Sequence, residues 1–389
     1  IGETTFEPVE THAPQFSFVP RDHDLSSIYQ CYFSLADFMP ENVTGIVTAK
    51  DGLVIDFSRD DLEDRIQRFT SLEKSDDQVR AEFFPNKKAG KYPPGDSRGW
   101  KLPDARKALQ ASDWKGDIQK LAYRPLDVRS ILYRSDMVDW GRFDFMHNML
   151  AGKNFGLISP KIQKRPGCGI ATSLICGHKT YDAFDSNSLF PLYLYPTEQH
   201  LDKTRRINLD PKLWKKLRRL AKDAEHGEPD EVATFDYMYG VLHCHAYRET
   251  YADFLKIDFP RIPWPASPAE FWDIVSKGRT LRGLHLMEPA AIGPTPYPYT
   301  GEGDDVVEVP RLDGTRIWVN ATQGFDDVPP AAWDFWIGGY QPAQKWLKDR
   351  KGRALSFEDV QHYQRILKIL SETDRIMDTI TVTLGQKVD

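Results

Sequence analysis

Three residues in the middle of the chain, Cys168, Cys176 and His178, are of the types that bind zinc. Seven residues separate the two cysteines, and one residue separates Cys176 from the histidine. Zinc sites usually place their cysteines two to four residues apart, and no fourth ligand lies nearby in the sequence. The spacing therefore argues against a metal site, and we expect none in this chain.

Two further groups have reactive side chains but no reactive arrangement. Asp182 and Asp185 could act as paired carboxylates, but Asp in a loop rich in Tyr, Ser and Asn more often builds turns. His243, Cys244 and His245 lie in an apolar helical stretch where adjacent side chains point apart, so we interpret them as packing or capping residues. The sequence also lacks a phosphate-binding loop, a Gly-x-Gly-x-x-Gly turn, the His-Glu-x-x-His and Gly-x-Ser-x-Gly motifs, and the Asp/Asn-Pro-Pro-Tyr/Phe tetrapeptide of adenine methyltransferases.

What remains is a polar recognition surface around residues 159–188. Lys and Arg bind phosphates, Arg also contacts guanine, and Asn and Gln can form two hydrogen bonds with adenine. An ordinary pair of hydrophilic loops would have the same composition, so both interpretations stay open on the residues alone. The DNA-binding candidates are the side chains of this surface and of its basic flanks, namely Lys153, Lys161, Gln163, Lys164, Arg165, His178, Lys179, Tyr181, Ser186, Asn187, Lys203, Arg205 and Arg206.

Charge is unevenly distributed along the chain. From Lys161 to Lys222, 13 Lys and Arg stand against five Asp and Glu, a local net charge of +8 that leaves −14 for the rest of a chain whose total is −6. This asymmetry indicates one anion-facing surface on an acidic body. Much of the basic charge falls in a helix that Asp210 and Pro211 should begin. Its basic face could hold phosphates or simply be solvated.

The elements that position these residues predict a mixed α/β (α+β) fold. Pro191 lies inside one strand candidate and favours an edge strand or a bulge there. The predicted strands are Phe155–Ser159, Gly169–Cys176 and Leu189–Tyr195, with a strand and turn at Gly45–Gly52 and a hairpin of Asp304–Pro310 and Thr315–Val319 around Asp313-Gly314. The predicted helices are residues 24–39, Asp60–Ser71, a helix end at Trp114–Leu121, Phe145–Leu150, residues 232–257 and a long helix capped by Ser356.

Length and composition narrow the class of protein. A chain of 389 residues with 40% hydrophobic residues and 10 Trp predicts a globular protein of two or three domains. Four Cys without paired spacing indicate a reducing compartment, so we expect a cytoplasmic protein. No run of 18 apolar residues is present, and we expect no membrane partner. Because the sequence begins with Ile1 rather than Met, we expect it to be a piece of a longer polypeptide.

Six ordered segments give the chain a resemblance to one family. They are Tyr123–Arg129, Asn154–Pro160, Leu189–Pro196, Ala246–Pro263, Gly338–Gln341 with Lys345–Gly352, and Leu370–Thr373. Together they resemble the C-terminal specificity domain of type ISP restriction–modification enzymes, over essentially the whole chain. Gly45–Asp51 resembles the segment that joins the methyltransferase to this domain, and Phe18–Pro20 resembles the last strand region of the methyltransferase.

The resemblance implies a DNA target recognition domain without catalytic residues of its own. The chain would bind one asymmetric double-stranded DNA sequence and present an adenine to the methyltransferase domain of the same polypeptide, which flips the base out of the stack. The parent polypeptide would also contain a nuclease and a translocase and would use S-adenosylmethionine, ATP and Mg²⁺, whereas no cofactor is expected in this chain. We predict the end of the methyltransferase at 1–22, a helical connector at 23–121, an α/β recognition core with a small mixed sheet at 122–290, and a hairpin with a helix-rich tail at 291–389.

Two other functions stay open as alternatives. A catalytic fragment, either nuclease or methyltransferase, would use Asp182 or Asp185 and show metal- or S-adenosylmethionine-dependent activity. A protein-interaction scaffold would bind no DNA even at low salt. DNA recognition instead predicts salt-dependent binding through residues 153–206, with 237–263 and 328–377 as scaffold. It also predicts that Lys161→Ala and Arg165→Ala weaken DNA binding by the parent enzyme.

Overall fold

The computed structural model of the chain describes residues 23–87, 90–165, 167, 169–198 and 201–385. The predicted end of a preceding domain at 1–22, with Phe18–Pro20, lies outside the described residues, as does Cys168. The helices are α1 (His23–Cys31), α2 (Leu35–Phe38), α3 (Asp51–Val54), α4 (Arg59–Thr70), α5 (Asp76–Phe83), α6 (Leu102–Gln110), α7 (Phe143–Leu150), α8 (Pro211–Ala221), α9 (Glu231–His243), α10 (His245–Thr250), α11 (Ala252–Leu255), α12 (Pro268–His285), α13 (Pro289–Ile292), α14 (Pro330–Asp334), α15 (Pro342–Asp349) and α16 (Phe357–Met377).

The strands are short and lie in several small sheets. They are β1 (Phe33–Ser34), β2 (Val43–Thr44), β3 (Ile55–Asp56), β4 (Ile118–Arg124), β5 (Asp127–Leu132), β6 (Gly156–Pro160), β7 (Ile170–Thr172), β8 (Ile175–Cys176), β9 (Asn187–Pro191), β10 (Tyr193–Leu194), β11 (Arg206–Ile207), β12 (Arg261–Ile262), β13 (Tyr299–Thr300), β14 (Arg311–Asp313), β15 (Arg316–Trp318) and β16 (Gly324–Phe325). Among the described residues, no helix has the length and apolar character needed to cross a membrane.

Two four-stranded sheets form the centre of the molecule. The first has the order β2-β9-β6-β7 and is antiparallel throughout. The second has the order β3-β5-β4-β8, and its β4–β8 pair is parallel. Because β7 and β8 are consecutive in sequence but lie in different sheets, the two residues between them join the sheets. The mixed α/β fold predicted from the sequence is therefore confirmed.

The segment predicted as a helical connector, 23–121, is not purely helical. It supplies β1, β2 and β3 and most of β4, and these strands pair with β12, β9 and β5 from the predicted recognition core. The connector and the core therefore share their sheets.

The C-terminal part matches the predicted hairpin and capped helix, with one difference. Strands β14 and β15 pair around Asp313-Gly314, but the first strand is Arg311–Asp313 rather than Asp304–Pro310. Ser356 begins α16 through a reciprocal cap, in which its hydroxyl accepts from the Asp359 backbone N at 3.1 Å and the Asp359 carboxylate accepts from the Ser356 backbone N at 3.2 Å.

Helices α9 and α12 cross closely in the core because each has a glycine at the contact. A Cβ on Gly278 would overlap the carbonyl oxygen of Asp236, and one on Gly240 would collide with Ile274. The buried Asp236 carboxylate accepts from Arg282 Nε at 2.6 Å. Burial raises the pKa of Asp236, and the Arg282 guanidinium opposes that rise. A charged pair thus fixes the crossing of the two helices.

The tyrosine-rich stretch predicted as one helix over 232–257 is three helices. Helix α9 ends at Cys244, whose backbone is extended, and α10 and α11 follow. Tyr237 donates to the Pro263 carbonyl at 2.9 Å, and Tyr247 donates to the Arg261 carbonyl at 2.7 Å. These bonds hold strand β12 against the helices, which is the structural role that the sequence indicated.

Three local predictions near the sheets were wrong. Trp114–Leu121 is a short 3₁₀ turn that continues into β4, not the end of an α-helix. Gly169–Cys176 is two strands in two sheets, not one strand. The sequence Asp51-Gly52 begins α3 and does not form a turn between strands.

Pro191 also differs from its prediction, because β9 is an inner strand and not an edge strand. Pro191 is the last residue of β9, beyond the two residues, Ser188 and Leu189, that pair with β2. The missing N–H of the proline therefore falls where β2 no longer needs a donor.

Candidate nucleic-acid interface

Two loops leave the β2-β9-β6-β7 sheet at the same end. Residues 161–165 follow β6, and residues 177–186 precede β9, where Pro160 pairs with Asn187 across the two antiparallel strands. Two ion pairs join the loops, from Lys164 Nζ to Asp185 Oδ1 at 2.8 Å and from Arg165 Nε to Asp182 Oδ2 at 3.4 Å. We call residues 161–165 and 177–186 the loop end of the sheet.

Side-chain-to-backbone hydrogen bonds fix the shape of the 177–186 loop. Asp182 Oδ1 accepts from the backbone N of Phe184 at 2.7 Å and of Asp185 at 3.3 Å. Asn187 accepts from Tyr181 N at 3.0 Å and donates to the carbonyl of Gly177 at 3.1 Å. Asp182 is therefore the turn builder that its neighbours in the sequence indicated, and the loop is preorganised.

A second segment, far along the chain, braces this loop. The backbone N of Gly339 donates to the Tyr181 carbonyl at 3.0 Å, and Tyr340 Oη donates to the Lys179 carbonyl at 3.1 Å. Gly338 has a φ of 57°, and a Cβ there would collide with Tyr181, so glycine is required. The Gly338-Gly339-Tyr340 sequence thus supports the loop from outside the sheet.

The structure separates the predicted DNA-binding residues by burial. Lys153, Lys161, Lys164, Arg165, Ser186, Lys203, Arg205 and Arg206 are exposed, and His178 and Lys179 are half-buried. Gln163, Tyr181 and Asn187 are buried. Because Asn187 bonds the loop backbone and Tyr181 Oη accepts from Gly169 N at 3.1 Å, these two side chains hold the loop in place in this conformation.

Gln163 is a different case, because its buried side-chain amide has no hydrogen-bond partner among the described residues. Its backbone N donates to the Leu255 carbonyl at 2.9 Å, which fixes the residue beside α11. A cavity of about 430 Å³ opens there, between residues 163–165 and Gly167 on one side and helices α10 and α11 on the other. A buried unpaired amide is unfavourable, so Gln163 has hydrogen-bonding capacity for a bound partner.

The predicted residues do not form one cluster. Lys153 precedes β6 and the β10–β11 ribbon follows β9, so both adjoin the Gly156–Pro191 end of these strands, opposite the loop end. Arg205 and Arg206 are exposed on this ribbon, and the Arg205 guanidinium lies 3.6 Å from the centre of the Tyr193 ring. Four residue steps along β6 separate the two ends by about 13 Å.

Helix α8 follows this ribbon at once. The backbone N of Asn208 donates to the Leu192 carbonyl at 2.8 Å, and the chain enters α8 at Pro211, capped by the Asp210 carboxylate as predicted. We call Lys153, residues 203–206 and α8 the helix end of the sheet.

Sequence reasoning missed Phe184 at the loop end. Its side chain is 74% exposed at the tip of the 177–186 loop, and the Arg165 guanidinium lies 5.3 Å from the centre of its ring. The available signal was a large apolar residue between two aspartates in an otherwise polar loop.

Of the three residues considered as metal ligands, the two that the structure describes have other roles. Cys176 is buried in β8, and burial raises the pKa of its thiol to about 12. His178 Nδ1 lies 3.0 Å from the Ile46 carbonyl oxygen. Within the described residues, no group of three His, Cys, Asp or Glu side chains is arranged to hold a metal ion.

The family of the chain follows from its sequence and agrees with this architecture. The model of the Type ISP C-terminal specificity domain matches residues 37–379, so the chain belongs to this family. The resemblance found in the six ordered segments is thereby confirmed. No curated protein matches the chain.

Solved structures with the same fold include three relevant chains. The chain is similar to one in the cryoEM structure of a DrdV–DNA complex (21% identity, TM-score 0.68, 89% of this chain and 36% of that one). It is also similar to the Type ISP restriction–modification enzyme LlaGI, a nuclease-deletion mutant in complex with a DNA substrate mimic (17% identity, TM-score 0.68, 97% and 30%). The third is the ATP-dependent Type ISP enzyme LlaBIII bound to DNA (14% identity, TM-score 0.70, 97% and 25%). The chain thus spans about a third or less of each solved chain.

Proposed function

We propose that this chain recognises a specific double-stranded DNA sequence within a single-polypeptide restriction–modification enzyme. In this proposal it holds a target adenine in register for the methyltransferase domain of the same polypeptide. Membership of a specificity-domain family supports the assignment, as do the DNA complexes of the structural relatives. The work of this chain would be binding, and the chemistry would lie elsewhere in the polypeptide.

The arrangement of the loop end is the observation that carries the proposal. Two loops from neighbouring strands are tied together and expose Lys161, Lys164, Arg165 and Phe184 from a rigid sheet. Cations bind phosphates and position the protein, whereas base edges and thymine methyl groups require Arg, amide or apolar side chains. The loop end offers both kinds of contact, and the unpaired Gln163 amide adds a donor and an acceptor.

Cofactor chemistry is assigned in this proposal to the rest of the polypeptide. S-adenosylmethionine, ATP and Mg²⁺ would serve the methyltransferase, translocase and nuclease parts. Asp182 and Asp185 suit this division, since their carboxylates bond the loop backbone and the cations of the neighbouring loop. A catalytic role for them would require release of those partners. We place the enzyme in the cytoplasm, where unpaired cysteines stay reduced.

A binding titration tests the proposal. The chain would be titrated with a pool of random duplexes at about 50 mM and about 200 mM salt, and the bound duplexes would be sequenced after repeated selection. We expect binding that weakens steeply with salt and a single enriched asymmetric sequence. An interaction scaffold would bind no duplex at low salt. Methylation or cleavage by the chain alone would support the catalytic alternative.

Variants then locate the surface. Lys164→Ala combined with Arg165→Ala should weaken binding to the enriched sequence. The matched control is Lys115→Ala. Lys115 is also exposed and forms an ion pair with Glu63 at 2.9 Å, but it lies in the turn before β4 of the β3-β5-β4-β8 sheet. Equal binding by the two variants would place recognition outside the loop end.

A further inference from the structure

Helix α8 has one packed face and one charged face. Leu217 and Ala221 are fully buried, Trp214 Nε1 donates to Thr234 on α9 at 3.0 Å, and Trp272 on α12 donates to the Ala221 carbonyl at 3.0 Å. These contacts hold α8 firmly, so its remaining positions form a fixed surface. Five of them are basic, a sixth cation, Lys222, follows as the C-terminal cap residue, and the helix contains no Asp or Glu.

Four of these cations form a row along the helix. Lys212, Lys215, Arg219 and Lys222 are exposed, and their spacing of three, four and three residues keeps them within an arc of about 80° over about 15 Å. Lys222 pairs with Glu228 at 3.3 Å. Among the described residues, Lys212, Lys215 and Arg219 have no ion-pair partner within 4.0 Å. The row is therefore an array of mostly uncompensated positive charge.

This array opposes the stability of the helix. Cations three or four residues apart on a helix repel each other, and a cation in the first turn also opposes the helix dipole. Lys212 is in that first turn, and α8 together with its cap residue Lys222 contains seven such like-charged pairs, Lys212–Lys215, Lys212–Lys216, Lys215–Arg218, Lys215–Arg219, Lys216–Arg219, Arg218–Lys222 and Arg219–Lys222. A regular polyanion laid along the row would remove this repulsion.

We propose that α8 is a second DNA contact, which binds the phosphate backbone of the duplex without reading its bases. The inference rests on the proposed function and extends it from the loop end to the helix end. The two ends of β6 are about 13 Å apart, whereas one turn of duplex is about 34 Å long, so a single duplex can reach both. Double-stranded DNA has one negative charge per about 1.7 Å of axis, which suits a 15 Å row of cations. Exposed Arg205 and Arg206 add positive charge on the β10–β11 ribbon, which precedes α8 in the chain.

The test is the salt dependence of DNA binding by the full chain. Lys215→Gln with Arg219→Gln should lower the slope of log K against log salt by up to about 1.8, or about 0.9 for each phosphate contact removed. The loss should be the same for the enriched sequence and for a scrambled duplex of equal length, so the ratio of the two affinities stays constant. Because the substitutions relieve repulsion, the melting temperature should stay equal or rise.

Two controls accompany this variant. Lys215→Arg keeps the charge and should keep the slope, and Lys115→Gln removes an exposed lysine elsewhere. A slope that is unchanged in the double variant, while the wild-type chain binds DNA, overturns the role of α8 and leaves the proposed function standing. A changed affinity ratio overturns the claim that α8 reads no bases. Absence of wild-type binding at low salt overturns both proposals together.

Discussion

The loop end and the helix end of the β2-β9-β6-β7 sheet are both basic, but their cations are held differently. At the loop end Lys161, Lys164 and Arg165 each face a carboxylate within 3.6 Å. At the helix end Lys215 and Arg219 face none among the described residues. Paired cations have defined positions and must exchange one anion for another when DNA arrives. Unpaired cations bind any phosphate at once.

This contrast indicates that the loop end and the helix end contribute differently to DNA binding. Surface ion pairs contribute little stability, but two of those at the loop end, Lys164–Asp185 and Arg165–Asp182, also join the two loops and so maintain their geometry. A defined geometry is what base recognition requires, whereas affinity for the backbone requires only charge. We therefore expect substitutions at the loop end to change which sequences bind, and substitutions at the helix end to change how tightly all sequences bind.

The largest effect concerns α9, the helix that contacts both the β2-β9-β6-β7 sheet and α8. Tyr239 on α9 accepts from the backbone N of Ala171 in β7, and Thr234 on the same helix accepts from Trp214 of α8. Further along α9, His243 is buried, and burial lowers its pKa to about 4, with the charges of Arg248 and His245 acting in the same direction. Burial also lowers the pKa of the neighbouring His285. Acid should therefore weaken the contacts of α9 with the sheet and with α8 together.

The direction of the change in folding stability with pH follows from proton binding. Between about pH 6.5 and about pH 4, His243 is protonated in the unfolded chain but not in the folded chain, so acid favours unfolding. The stability that neutral His243 contributes is complete above pH 6.5 and falls by roughly 3 kcal/mol as the pH approaches 4. Denaturant unfolding at several pH values measures it. His243→Gln should flatten the profile, and an equally steep profile in that variant would assign the pH dependence to other groups.

The next largest effect separates the two ends. Asn187→Ala would remove the side-chain acceptor of the Tyr181 backbone N and one of the two donors to the Gly177 carbonyl, at a cost of roughly 1–3 kcal/mol. We expect preference for the enriched DNA sequence to fall at least about tenfold, while binding to scrambled duplex persists through α8. Competition binding measures the ratio. Asn320→Ala is the control, because it removes a buried amide that bonds the backbone of the turn between β15 and β16. A preserved preference in Asn187→Ala would remove the link between loop geometry and specificity.

Phe184→Ala should have a smaller effect of a different kind. Loss of an apolar contact with bases should weaken binding about fivefold, or about 1 kcal/mol, with an unchanged salt slope because no charge is lost. Titration at several salt concentrations separates affinity from slope. Phe357→Ala is a matched control, since its side chain is 71% exposed at the start of α16. Identical affinities for the two variants would mean that Phe184 does not contact DNA.

The smallest effect tests whether ion pairing restrains the loop end. Asp185→Asn releases Lys164, and we expect affinity for scrambled duplex to rise by about two- to threefold. Asp273→Asn makes the same change in net charge and removes the ion pair of Lys277 on α12, whose Nζ still donates to the Thr379 carbonyl at 2.7 Å. A comparable rise in both variants would show a general charge effect and not release of a loop cation.

Local signals in the sequence predicted some elements well. Asp210-Pro211 begins α8 and Ser356 begins α16 as expected, because a cap and its helix are formed by residues close in sequence. Helices α4 and α7 lie within a few residues of their predicted bounds for the same reason. The family segments likewise identified the class of protein.

What escaped prediction depends on partners distant in sequence. Gly169–Cys176 divides because β7 pairs with β6 whereas β8 pairs with β4. The hydrogen bonds of Asn187, and the position of residues 161–165 beside residues 177–186, follow from the register of β6 and β9, which composition does not encode. Phe184 was passed over although it is a large apolar residue in a polar loop, because the sequence does not show whether such a side chain is exposed or buried.

The brace from Gly338 and Gly339 has a consequence for changing the specificity of this chain. These glycines fit against Tyr181 and Asp182, about 150 residues earlier in the chain. A different 177–186 loop, grafted from a relative, would pack against glycines whose positions fit the original turn at Tyr181 and Asp182. Specificity therefore cannot be transferred by exchanging the 177–186 loop alone. A successful exchange, in the laboratory or in evolution, must include the matching Gly338–Tyr340 segment.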